Sequence, residues 1–166
     1  GEAHDGPADE SVPAPLDTLP LYVRAGAIVP MIADDVDTFV TATGAGIVAL
    51  ADRSDRIWAR IVPSGSGAIT LFDGSAIECL DGSTQVTVSL TGGDWFDRWV
   101  LEVDWDVRDP APAADPSLVT LDGNPLVEAP DALAVRSGSC EGCWFTDAAS
   151  GRVLVSIGSA GVVAIR

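Results

Sequence analysis

Residues 86–105 read VTVSLTGGDWFDRWVLEVDW and contain two strand patterns joined by a turn. Apolar side chains occupy every second position from Val86 to Leu90, with a hydroxyl side chain between each pair. From Trp99 to Trp105 the odd positions are again apolar, and charged side chains occupy two of the three positions between them. A period of two is typical of a half-buried β-strand. This stretch therefore predicts two strands on either side of a Gly-Gly turn.

The same pattern extends over most of the chain in both directions. Short apolar or alternating runs follow one another at residues 19–29, 47–51, 57–62, 68–72, 75–80, 118–121, 132–136, 144–145, 153–157 and 162–165. Asp-Gly pairs, which favour tight turns, stand at residues 73–74, 81–82 and 122–123. No stretch keeps a 3.6-residue period. The sequence predicts an all-β protein, an antiparallel β-sandwich with little helix.

The distribution of proline and alanine suggests how the chain is divided. Residues 110–116 form a Pro/Ala-rich linker. We expect one sandwich module at residues 13–109 and a second at 117–166, packed together. Residues 1–12 are polar and are expected to form an extended arm. Because the sequence begins with Gly1 and not with Met, we expect it to be processed or one piece of a longer protein.

Charge limits the partners of this chain. The formal net charge is -16, with nine arginines as the only basic residues besides one histidine. Phosphate groups would be repelled, so nucleic acid and anionic membranes are not expected partners. No run is long and apolar enough to span a bilayer. The twenty-five acidic residues are interpreted as a solvated surface.

Residues 14–31, APLDTLPLYVRAGAIVPM, resemble a segment of glycoside hydrolase family 31 through the pattern D-x-x-P-x-x-V-R-A-G-x-I-x-P. In that family the segment follows the catalytic (β/α)8 barrel and opens the proximal C-terminal β-domain. Residues 70–74 resemble a strand and turn of the family, with one acidic residue before Gly74 where members often have two. Residues 118–126 and 143–147 resemble parts of its distal C-terminal domain.

The resemblance implies a non-catalytic β-sandwich region of an enzyme like an α-glucosidase or α-xylosidase. Its partner would be the family's barrel, in the same polypeptide or as a companion chain, and no cofactor is implied. The parent would be a retaining α-glycosidase whose two catalytic carboxylates lie in the barrel. A chain of 166 residues without strand–helix alternation contains no such barrel. No residue here inherits a catalytic role.

Several possible sites are not expected from the sequence. Asp97 lies in a W-x-D like the one around the family's nucleophile, but it is interpreted as a surface or turn residue. His4 is the only histidine and has no Ser-His-Asp context. Residues 34–37, DDVD, lack the Gly and terminal Glu of an EF-hand loop, so no metal site is expected.

Two binding surfaces remain as expectations. Trp99 and Trp105 belong to a strand's apolar face and are expected in the core. Trp58 and Trp95 are the better candidates for carbohydrate binding, because exposed aromatic faces stack on the apolar C–H faces of sugar rings. A strand over residues 19–25 would bury one face and present Tyr22 and Arg24 on the other. These two residues are expected to dock against the barrel.

The cysteines leave two alternatives open. Cys140 and Cys143 form a CxxC, but the sequence lacks further zinc ligands and the βαβ context of a redox motif. They form either a local disulfide or two reduced thiols in a turn. A disulfide would favour a secreted or periplasmic protein over a cytoplasmic one. Cys79 is expected to be a buried free thiol.

Two rival functions keep the same fold class. One is a stand-alone carbohydrate-binding module, which exposed coplanar tryptophans would favour. The other is a structural or assembly domain. A broad apolar patch on residues 16–31 would instead favour the fragment interpretation, since it would mark the contact with the barrel.

Overall fold

A computed structural model describes residues 11, 15, 22–32, 36–40, 44–93, 95–108, 112 and 114–166. Almost all of the expected arm and part of the linker lie outside the described residues. Within them the strands are β1 (Ile28–Met31), β2 (Ile57–Ile61), β3 (Ser66–Thr70), β4 (Ala76–Asp81), β5 (Val86–Thr91), β6 (Trp99–Asp104), β7 (Val119–Leu121), β8 (Asn124–Pro125), β9 (Val127–Glu128), β10 (Cys143–Asp147), β11 (Arg152–Ile157) and β12 (Gly161–Ile165).

The strands form two six-stranded sheets that pack face to face. The first sheet has the order β1-β2-β6-β11-β10-β9, and the second has the order β3-β4-β5-β12-β7-β8. Pairing is antiparallel except between β2 and β6 and between β9 and β10. The predicted β-sandwich is confirmed, with these two parallel pairs making the first sheet mixed.

Residues 86–105 form the two predicted strands, but these strands lie in different sheets. Every second residue of β5, including Val88, points into the core, and so do Trp99, Leu101 and Val103 of β6. The Gly-Gly turn therefore begins a loop that crosses from the second sheet to the first. It does not close a hairpin. This crossing brings the two apolar faces together, which is why the stretch is central to the core.

The two segments expected to form separate modules share one core. β11 pairs with β6, and β12 pairs with both β5 and β7. Residues from both segments, such as Leu101 and Val155, belong to the same buried cluster. The structure differs here from the two-module expectation, because β5 and β6 each need a neighbour from the C-terminal segment to pair their second edge.

All three predicted Asp-Gly pairs lie in or next to a turn. The pair at residues 73–74 lies in the turn from β3 to β4, whereas at the second pair Asp81 is the last residue of β4 and Gly82 begins the loop to β5. At the third, Asp122 and Gly123 have φ values of 50° and 81°. Glycine tolerates this left-handed conformation, and aspartate does so better than most residues. Two positive φ values are what a two-residue hairpin turn requires, so β7 and β8 can pair directly.

The strand expected at residues 19–25 is wrong where the structure describes it. Tyr22 to Ala25 form no strand and are exposed, while residues 19–21 lie outside the described residues. The chain turns at Gly26, whose φ is 80°, and β1 begins only at Ile28. β1 is an edge strand, which is why it accommodates Pro30.

Two further expected strands are short helices. Ala132–Arg136 is an α-helix (α1), and the Asp131 side chain caps it by accepting a hydrogen bond from the Ala134 amide at 2.8 Å. Leu50–Arg53 is a 3₁₀-helix, and Asp52 accepts a bond from the Ala49 amide. Both segments are too short for a helical period to show in the sequence.

Candidate functional site

Two exposed aromatic rings and one buried ring meet at one end of the sandwich. Phe72 comes from the β3–β4 turn, and Trp95 and Phe96 come from the loop between β5 and β6. The centroid of the Phe72 ring lies 5.7 Å from that of Trp95 and 5.9 Å from that of Phe96, edge-to-face in both pairs. Phe72 is 69% exposed and Trp95 39%, while Phe96 is 9% exposed. We call Phe72 and Trp95 the aromatic corner.

The turn that carries Phe72 is fixed by its own hydrogen bonds. Asp73 Oδ1 accepts bonds from the Ser75 amide at 3.1 Å and from the Ser75 hydroxyl at 2.5 Å. Gly93, in the loop that carries Trp95, packs against the same carboxylate, and a Cβ atom there would lie 2.5 Å from Asp73 Oδ2. Oδ2 is buried, without a hydrogen-bond partner among the described residues. A side chain at position 93 would collide with this carboxylate, so the glycine is what lets the two aromatic loops lie this close together.

Trp58 and Trp95 do not belong to one element or one face. Trp58 lies on the outer face of the first sheet, between Met31 and Val100 on the neighbouring strands. It is half-buried, and its Nε1 atom is fully buried with no partner among the described residues. The ring partner of Trp95 is Phe72, which is not among the site residues predicted from the sequence. The only sequence signal for exposure of Phe72 is its position directly before the Asp-Gly turn at residues 73–74.

Tyr22 and Arg24 lie at the other end of the sandwich. At this end the chain turns at Gly26 toward β1. The Gly26 amide donates to the carbonyl of Val62, the residue that follows β2, at 2.9 Å. Tyr22 is 61% exposed, and its neighbour Val23 is 42% exposed. Arg24 is also exposed. These three residues form an exposed segment, which we call the entry segment.

Five charged side chains form an ionic ladder across the outer face of the first sheet. Asp104 accepts bonds from Arg60 Nε at 2.9 Å and from Arg152 Nε at 2.7 Å. Glu102 accepts from Arg152 Nη1 at 3.3 Å and from Arg136 Nε at 3.0 Å. Both carboxylates are buried, which corrects their interpretation as part of a solvated acidic surface. The alternation in β6 predicts that Glu102 and Asp104 share one face of the strand. It does not predict the arginines that bind them, because these come from three other elements.

The ladder also anchors α1 on the sheet. Arg136 belongs to this helix, and its guanidinium reaches Glu102 on β6. At the end of the helix, Arg56 Nη1 donates to the Arg136 carbonyl at 3.1 Å, and Arg98 Nη1 donates to the Gly138 carbonyl at 2.8 Å. Guanidinium groups are favourable partners for such carbonyls. The ladder carboxylates are thus engaged in structural bonds.

A second buried ion pair closes the entry-segment end. Arg108 Nη2 lies 2.7 Å from Asp81 Oδ1, and both side chains are 7% exposed. The Arg108 guanidinium also stacks over the Trp105 ring at 4.5 Å.

Near this ion pair, burial raises the pKa of the Cys79 thiol to about 11, with a further contribution from Asp81. This thiol is therefore protonated and unreactive near neutral pH.

A disulfide joins Cys140 to Cys143. It links the loop after α1 to the start of β10. Cys143 is buried in a small second cluster with Ala129, Val135 and Leu154, and Cys140 packs against it. The bond therefore lies at the seam between α1 and the first sheet.

We expect thiol labelling to distinguish the three cysteines. Native protein purified without reductant should take up no iodoacetamide at pH 8, because Cys79 is buried and protonated and the other two are bonded. After unfolding without reductant, mass spectrometry should find one label per chain, on Cys79. After reduction it should find three. Three labels before reduction would contradict the disulfide.

The described residues hold no group of three or more histidine, cysteine, aspartate or glutamate side chains arranged for a metal ion. Asp37 is described, and its carboxylate accepts a bond from the Val48 amide at 2.9 Å. Asp34 and Asp35 lie outside the described residues. No helix in the described part of the chain has the length and hydropathy to cross a membrane.

Solved structures with a similar fold include two carbohydrate-converting enzymes. The cycloalternan-forming enzyme from Listeria monocytogenes matches 85% of this chain with a TM-score of 0.58 and 22% identity. The α-1,4-glucan lyase from Gracilariopsis lemaneiformis matches 87% with a TM-score of 0.54 and 16% identity. An uncharacterized protein, lmo2446 from Listeria monocytogenes, matches 85% at 0.60 and 21%.

The match covers only a small part of these proteins. This chain spans 13% of the cycloalternan-forming enzyme and of lmo2446, and 16% of the lyase. No protein-family model and no curated protein sequence matches the chain. The comparisons therefore show the fold, which larger proteins contain as one part.

Proposed function

We propose that this chain is the non-catalytic β-sandwich region of an α-glycoside-processing enzyme of glycoside hydrolase family 31, where it supports the catalytic barrel. The observation that carries the proposal is the match of 85% of this chain to 13% of a cycloalternan-forming enzyme. The family-like sequence at residues 14–31 agrees with it. The parent enzyme would act on α-glycosides through carboxylates of its barrel, with retention of configuration.

The ion pairs support a non-catalytic role. General acid–base chemistry on a glycoside needs two carboxyl groups that face each other across a cleft. Glu102 and Asp104 are engaged by arginines on the outer face of a sheet. Asp97 is exposed on a loop. A domain that only supports the barrel needs no carboxyl group available for acid–base chemistry.

We place the barrel contact at the entry segment. In the resembled family this stretch directly follows the barrel, so chain connectivity keeps the two close. Tyr22 and Val23 offer apolar surface that the sandwich itself leaves exposed. Arg24 can make a charge-assisted hydrogen bond across the contact. Val29, on edge strand β1, is a further exposed apolar side chain, with 36% exposure.

The proposal is tested with this chain and the barrel segment of the same gene or operon, produced separately. We expect the chain alone to show no turnover of aryl α-glucosides or α-xylosides, and to bind the barrel and raise its melting temperature. Tyr22→Asp should weaken this binding at least about tenfold, since it puts a charge into an apolar contact. The melting temperature of the isolated chain should change far less than barrel binding does, because the Tyr22 side chain is 61% exposed.

Leu133→Asp is the matched control for that variant. Leu133 is 71% exposed, but it lies on α1, away from the entry segment. We expect the Leu133→Asp chain to bind the barrel like the parent chain. Turnover by the isolated chain, or equal effects of the two variants on barrel binding, would contradict the proposal.

The disulfide supports a proposal about the compartment. Disulfides persist in oxidising environments and are rare in the cytosol of mesophiles. We therefore propose that the parent enzyme is secreted or periplasmic.

A further inference from the structure

We propose that the aromatic corner is a carbohydrate-binding site that holds a neutral α-glucan chain by stacking. This goes beyond a supporting role, because it gives the sandwich a ligand of its own. The site consists of Phe72 and Trp95, with Phe96 as the buried ring beneath them. Only the choice of an α-glucan rests on the proposed function.

The two rings form an angular surface that suits a sugar ring. The ring planes are inclined at 72° and pack edge-to-face, and Phe72 stays 69% exposed and Trp95 39% exposed. A pyranose has one apolar face of C–H groups and a rim of hydroxyls. One face can stack on Trp95 while the next residue of the chain contacts Phe72. Aromatic rings beside a few polar groups are the usual composition of small-ligand sites.

The polar surroundings favour a sugar over a protein partner. Asp97, exposed two residues beyond Trp95, offers carboxylate oxygens to sugar hydroxyls. A stable protein interface buries roughly 1,000 Å² or more. Two ring faces supply a fraction of that area, which is ample for one or two sugar residues.

The charge of the chain selects a neutral ligand. The net charge is -16, and the exposed Asp97 follows Trp95 by two residues. An anionic ligand, such as a uronate polymer or a nucleic acid, would be repelled. Neutral hexose polymers are the carbohydrates that combine apolar ring faces with hydroxyls and carry no charge.

The site is held ready before the ligand binds. The Phe72 turn is closed by the Asp73–Ser75 hydrogen bonds, and Gly93 packs the Trp95 loop against it. Phe96 supports Phe72 from the core side. A ligand therefore does not have to order these loops, and this lowers the entropy loss on binding.

The proposal is tested on the isolated chain with maltoheptaose as the probe, by isothermal titration and by quenching of tryptophan fluorescence. We expect a dissociation constant of about 1 mM or lower, as befits an open two-ring site. Trp95→Ala and Phe72→Ala should each weaken binding at least about tenfold, because each removes one stacking face. Both rings are exposed, so circular dichroism and melting temperature should be close to those of the parent chain.

Tyr22→Ala is the matched control, since Tyr22 is similarly exposed but lies at the opposite end. It should leave maltoheptaose binding unchanged. The glucan site and the barrel contact are therefore tested independently, and one proposal can fail without the other. The proposal is overturned if the parent chain does not bind maltoheptaose at 10 mM, on the order of ten times the expected constant. It is also overturned if neither aromatic variant weakens binding. Loss of barrel binding in Trp95→Ala without any glucan binding would identify the corner as a protein contact and refute the site.

Discussion

A chain that ends at Asp109 is expected not to fold, although it contains the whole of the first segment predicted from the sequence, residues 13–109. β6 would lose its partner β11, and β5 would lose its partner β12. Both strands would then expose an unpaired edge in the middle of a sheet. Core residues contributed by the missing segment are Val119, Trp144, Val153, Val155, Ile157, Val163 and Ile165.

The fragment should show the circular dichroism spectrum of an unfolded chain and a proton–nitrogen NMR spectrum with little dispersion. Adding the complementary fragment, residues 112–166, should restore a folded spectrum, because the missing strands complete both sheets. The matched control is the full chain with a protease site inserted after Ala111. After cleavage it has a break in the same region but keeps all strands, so it should stay folded. Cooperative unfolding of the fragment alone would contradict a shared core.

Asp104→Asn is expected to lower the free energy of unfolding by about 3 kcal/mol. The carboxylate is 5% exposed and holds Arg60 and Arg152 through bonds of 2.9 and 2.7 Å. Without its charge, Arg60 keeps only a neutral acceptor at this position, while Arg152 keeps the Glu102 carboxylate at 3.3 Å as its charged partner. The two arginine side chains are 34% and 23% exposed. Water can therefore reach them, which keeps the loss from being larger.

The matched control is Asp55→Asn. Asp55 also accepts an arginine Nε bond at 2.9 Å, but its side chain is 53% exposed. We expect a change within about 0.5 kcal/mol. Both variants remove one negative charge from a chain of net charge -16, so relief of overall repulsion is the same in each. Urea unfolding at constant ionic strength measures the difference. Equal changes in the two variants would show that the ladder carboxylate does not stabilise the fold.

The local pattern of the sequence predicted most of the strands. Alternation is set by the two-residue period of a strand, so the inward face of β6 could be assigned from residues 99–105 alone. The Asp-Gly turns were also predictable, because only a few residues tolerate their backbone angles. The prediction was wrong for short segments. Residues 132–136 contain little more than one helical turn, which is too short for a helical period, and the sequence alone does not identify Asp131 as their N-cap.

The candidate sites were predicted less well than the strands. Trp95 is exposed as expected, but Trp58 is half-buried on the sheet. Phe72 was missed because nothing in its local sequence shows that a loop twenty residues later packs beside it. Tyr22 and Arg24 are exposed, without the strand that was expected to present them. Docking and carbohydrate binding remain predictions.

The sequence by itself determined the class of the fold, the turns and the apolar face of each main strand, since these depend on neighbours one to four residues apart. The tertiary structure alone decided which strands pair. It joined β6 to β11 and so merged the two expected segments into one core. It also brought Arg60 and Arg152 to Asp104 across 44 and 48 residues of sequence. Such contacts form only when the apolar faces of the two sheets are buried against each other, and no short stretch of the sequence predicts that packing.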